Sequence, residues 1–68
     1  MDKNRLYYEI KRNNYTAESF SKALGISLSA FRRKATGKSE FTQREIQKAL
    51  ELLHLDSPMG VFFAEEVS

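Results

Sequence analysis

Apolar residues recur every three or four positions along most of this chain, and Gly, Pro and paired Asn fall between the stripes. Leu6 and Ile10, with Tyr7 beside them, predict a first helix over about Lys3 to Arg12. Asn13 and Asn14 end it, because Asn tolerates left-handed backbone past a helix terminus. Thr16 then offers an N-cap hydroxyl, while Tyr15 and Phe20 have the spacing of a hydrophobic staple. The second helix is short, about Ala17 to Leu24, with Phe20, Ala23 and Leu24 facing inward. Gly25 stops it, and Ser27 caps a third helix over about Leu28 to Thr36, which Gly37 ends in turn. Only three residues join these two helices, so Ile26 is expected to be buried in the corner between them. "TQRE" is a capping box in which Glu45 reaches back to Thr42, ahead of the stripe Ile46, Ala49, Leu50 and Leu53. Ser57 as cap and Pro58 at the first helical position predict a short fifth helix. The ending "VFFAEEVS" reads either as its continuation or as a short strand.

These elements make an all-α chain: one domain over 1–68, with a helix-turn-helix over about 17–36 and a tail at 64–68. Sixty-eight residues lie near the lower limit for a single apolar core. A stability of ~3–7 kcal/mol is expected. There is no cysteine, hence no disulfide framework and no thiolate ligand or nucleophile. No apolar run has the length of a membrane span, and the first ten residues lack the core of a signal peptide. A soluble, cytoplasmic protein is expected. Met1 is expected to be a native start, and the chain reads either as a whole protein or as one domain of a longer one.

Charge changes the picture. Residues 1–39 hold nine Lys/Arg against three acids, a balance of +6, whereas residues 40–68 hold two against six, a balance of −4. The basic half suits a polyanion. Within it, the third helix can be rotated about 100° per residue from Phe31 as the centre of its buried face. Ser27 and Ala35 then also point inward, Ser29 and Arg33 point outward, and Arg32, Thr36 and Ala30 flank them. Small residues at Ser29 and Ala30 would let the helix enter a major groove about 12 Å wide. Arg32 and Arg33 would reach guanine edges or phosphates, and Leu28 a thymine methyl. Thr16 and the free amides opening the second helix would meet one phosphate, Lys38 and Ser39 another.

The segment "TAESFSKALGISLSAFRRKATGK" resembles the helix-turn-helix of the phage repressor and Cro-like (XRE) DNA-binding proteins. Gly25 stands at the family's turn glycine, Ile26 and Phe31 at its buried apolar positions, and Ser27 at the cap of its recognition helix. The likeness spans roughly residues 3 to 57, and "FRRKATGKSEFTQREIQKALELL" is similar to small phage and prophage proteins of this type. The resemblance implies a lambda-repressor-like five-helix domain. It further implies a bacterial, nucleoid-associated transcriptional regulator that binds a double-stranded operator as a homodimer. Leu28, Ser29, Ala30, Arg32 and Arg33 would face bases or nearby backbone, and Thr16, Ala17, Thr36, Lys38 and Ser39 would contact phosphates. Two positions depart from the pattern. Ser21 replaces a usual alanine, and Lys34 a usual apolar residue. Either the Lys34 stem covers the core edge with its amine in solvent, or Ala35 takes the buried role.

Leu52, Val61, Phe62 and Phe63 either pack within the chain or contribute to a dimer patch. His54, the single histidine, is expected to interact with the final carbonyls of its helix rather than with a metal, and Glu65 and Glu66 to be solvated. No catalytic constellation, glycine-rich phosphate loop, cofactor motif or small-molecule site is evident, so an enzyme is not expected. The rival class is a protein-interaction module, such as an antirepressor using the same helices.

Overall fold

The computed structural model describes residues 3–58 and 60–62. Phe63, Glu65, Glu66 and the rest of the tail at 64–68 lie outside the described residues. The described chain is all-helical: α1 (Lys3–Arg12), α2 (Ala17–Leu24), α3 (Leu28–Ala35) and α4 (Gln43–Leu53). No described helix is long and apolar enough to cross a membrane.

All four helices end by one device. One or two residues past each terminus stands a left-handed residue: Asn14 (φ 65°), Gly25 (φ 84°), Gly37 (φ 86°) and His54 (φ 56°). The next amide then donates back across the last turn, as from Tyr15 to the Ile10 carbonyl and from Leu55 to that of Leu50. Three of these stops are Asn or Gly, the residues that adopt this backbone most cheaply. At His54 the contact with the final carbonyls is made by the backbone amide, which donates toward Leu50 and Glu51. A β-carbon in left-handed backbone is strained, so His54→Gly is expected to stabilise the fold by about 0.5–1 kcal/mol. A thermal melt checks this, as a rise in Tm of roughly 2–8 °C.

The core is an aromatic chain clad in aliphatics. Tyr15, Phe20, Phe31, Phe41 and Phe62 meet edge to face in sequence, each pair of ring centroids 5.3–6.1 Å apart. Leu6, Ile10, Leu24, Ile46, Ala49 and Leu53 close around them. The expected fifth helix falls partly outside the described residues. Between Pro58 and Phe62 the described residues form a turn, its Pro58 carbonyl accepting from the Val61 and Phe62 amides. That turn carries Val61 and Phe62 inward, 1 % and 7 % exposed, while Leu52 is half-buried against the same core. Val61 and Phe62 therefore offer no exposed dimer patch, because Phe41 and the core already cover them.

Two further expectations are corrected. Ile26 is half-buried rather than sealed in the corner, and Ser27 is exposed, its hydroxyl accepting from the Ala30 amide at 3.1 Å instead of facing the core. Conversely, Glu9 is buried on the inner side of α1, beside Arg12 Nε at 3.5 Å, where periodicity marks only Leu6 and Ile10.

Candidate nucleic-acid interface

The tight turn between α2 and α3 is built from backbone. Gly25 donates to the Lys22 carbonyl and Ile26 to that of Ser21, both at 3.0 Å. This closure needs the left-handed Gly25 and turns the chain sharply enough for α3 to start three residues after it. Phe31 and Ala35 then anchor α3 in the core.

That anchoring fixes what α3 shows. Ser29, Arg32, Arg33 and Thr36 are exposed, Ala30 is half-buried, and Leu28 is half-buried against the core, which limits its reach toward a base. Lys34 turns toward α4 instead of solvent. Its ammonium donates to both Glu45 carboxylate oxygens, at 2.6 and 2.7 Å, with the two side chains only 16 % and 14 % exposed. Glu45 Oε1 also accepts from the Thr42 amide at 2.9 Å, so the α4 capping box and the α3 rotation share one carboxylate. Burial by itself would push the Glu45 carboxyl up; the Lys34 ammonium and the Thr42 amide outweigh it and hold the group below its ordinary value of 4.5.

The phosphate-facing residues divide. Lys38 and Ser39 are exposed just beyond α3, with both backbone amides donating inward to the Arg33 carbonyl, so only their side chains face outward for contact. Thr36 is exposed, but its hydroxyl donates to the Arg32 carbonyl at 2.8 Å and has no proton left for a phosphate. Thr16 caps α2 in a reciprocal box with Ser19: its hydroxyl accepts from the Ser19 amide, and its own amide donates to Ser19 Oγ. Ser19 carries no sequence signal for this role, because Glu or Gln is the usual third residue of such a box. Ala17 opens α2 half-buried, and Glu18 beside it carries a negative charge suited to the helix dipole but repulsive to a phosphate.

The cations of the basic half sort by partner. Arg12 faces Glu9, Lys22 faces Glu18 at 3.8 Å and Lys34 is held by Glu45, whereas Lys3, Lys11, Arg32, Arg33 and Lys38 have no ionic partner among the described residues. Arg32 and Arg33 are thus neither buried nor neutralised. No family model, curated protein or solved structure matches the chain.

Proposed function

We propose that this chain is a sequence-specific double-stranded DNA-binding regulator of transcription, a helix-turn-helix protein of the repressor and Cro-like type, with α3 as its recognition helix. The observation that carries this reading is the outer face of α3. Small Ser29 and Ala30 lead into Arg32 and Arg33, two exposed guanidinium groups without an ionic partner among the described residues. A guanidinium pairs bidentately with a guanine edge, and a slim cationic helix fits a groove about 12 Å wide. The α2–α3 turn and the helix order support a lambda-repressor-like fold, with the Pro58–Phe62 turn standing where a fifth helix would begin. One copy presents few contacts, so two copies on half-sites about 34 Å apart would raise affinity without new chemistry.

Selection of bound sites from a random duplex library tests the proposal, with recovery of one half-site motif as the expected result. On that site, Arg33→Ala is expected to cost about 1–3 kcal/mol more than on random duplex. Lys38→Ala should weaken both duplexes alike and flatten the salt slope by about 1. Titrations by fluorescence anisotropy read both effects. A second reading, a protein-interaction module of antirepressor type, draws on Tyr8, an aromatic 61 % exposed on α1, and on the acidic second half. Absence of duplex binding at about 50 mM salt would favour it.

A further inference from the structure

The five cations of the basic half that have no ionic partner among the described residues lie on two elements. Arg32, Arg33 and Lys38 belong to α3 and the turn after it; Lys3 and Lys11 belong to α1. On α1, Lys3, Tyr7 and Lys11 fall at i, i+4 and i+8, which is one row along the helix surface. The middle of this row is fixed against α3, because the Tyr7 ring meets Phe31 edge-on at 5.9 Å. Its beginning is fixed as well, since Lys3 lines an open depression of about 260 Å³ with Ala35, Thr36 and Gly37. Nothing lies within 4 Å of where a Gly37 β-carbon would stand, so the α3 side of this depression is not walled off. Arg12 points elsewhere, toward buried Glu9.

A helix seated in the major groove is flanked on both sides by sugar-phosphate backbone, since helix and groove have similar widths of about 10–12 Å. α1 approaches α3 where the Tyr7 ring meets Phe31 and where Lys3 borders the same depression as Thr36 and Gly37. A cationic row on such a neighbour, turned to the same side, lies over that flanking backbone. We propose that Lys3 and Lys11, about 12 Å apart along α1, form a second phosphate-binding edge that takes the strand bordering the groove occupied by α3. The inference rests on the DNA reading and extends it to a helix outside the α2–α3 unit. The edge adds affinity without sequence preference, because phosphates are the same at every base pair.

The test is the salt dependence of binding by the full chain to its selected duplex and to a scrambled one. Lys3→Gln/Lys11→Gln is expected to flatten the slope of log affinity against log salt by about 1.8, equally on both duplexes. Lys3→Arg/Lys11→Arg should retain the wild-type slope, as should Lys48→Gln on the outer side of α4. All four positions changed here are exposed, and far-UV circular dichroism verifies the helical content. A wild-type slope in the double Gln variant, alongside lost discrimination in Arg33→Ala, overturns this edge and leaves the α3 reading standing. Failure of the wild-type chain to bind either duplex at about 50 mM salt overturns both.

Discussion

Phe31→Ala is expected to leave most of the chain unfolded at 25 °C. Phe31 is fully buried and meets three rings edge to face: Tyr7 from α1, Phe20 from α2 and Phe41 from the segment before α4. Truncating a buried phenylalanine costs about 3–5 kcal/mol, because transfer energy is lost and the cavity collapses only in part. Each edge-to-face pair contributes about 0.5–1.5 kcal/mol beyond area, although the three are not additive here. Against a total of ~3–7 kcal/mol, little remains. A circular dichroism melt should show either no cooperative transition or a Tm lowered by at least ~12 °C. Tyr8→Ala, on the exposed face of the neighbouring helix, should stay within about 0.5 kcal/mol of wild type. A Phe31→Ala melt within a few degrees of wild type would remove the aromatic chain as the organising feature of the core.

The second large effect is at Glu45. Replacing it with Ala removes both acceptors of the Lys34 ammonium and the side-chain acceptor of the Thr42 amide. An ammonium 16 % exposed is then left without its counter-charge, in a position it occupies only because the partner is present. A loss of about 2–4 kcal/mol is expected, below the full cost of a wholly buried pair because both groups retain some solvent. Adding Lys34→Met should recover most of it, since no uncompensated charge remains and the thioether chain fills the same edge. Denaturant unfolding of the two single variants and the double variant measures the coupling. The pH dependence has a definite sign. The folded-state carboxyl lies below its ordinary 4.5, so its contribution is fully present above that value and is lost as the pH falls through the folded-state value. Wild-type stability should fall over this acid range more steeply than that of Lys34→Met, which lacks the ammonium.

The helices were legible because their ends are local. Asn14, Gly25 and Gly37 are backbone requirements written in residue type, and Thr16, Ser27 and Thr42 are caps that act within one turn. His54 carries no residue-type signal for a left-handed terminus; its φ of 56° and the Leu55-to-Leu50 closure reveal it. What the sequence concealed depends on elements distant along the chain. Lys34 and Glu45 are eleven residues apart, and nothing in either segment states that α3 and the start of α4 bring them together. Lys34 at an apolar position was the one available clue. Val61 and Phe62 read equally well as surface or core until Phe41 is seen to receive Phe62. On the candidate interface, the exposed face of α3 follows from counting residues around Phe31, whereas the spent Thr36 hydroxyl and the opposing Glu18 charge are details of side-chain placement.

The most direct test of the DNA reading is the affinity for duplex DNA at two salt concentrations, followed by anisotropy of a labelled duplex. With three to five phosphates neutralised, affinity should fall about 40–500-fold between about 50 and 200 mM salt. The steepness should diminish when Arg32 and Arg33 are both replaced by Ala. Equal affinity at the two concentrations, or no binding at the lower one, would contradict a cationic α3 that meets a phosphate backbone.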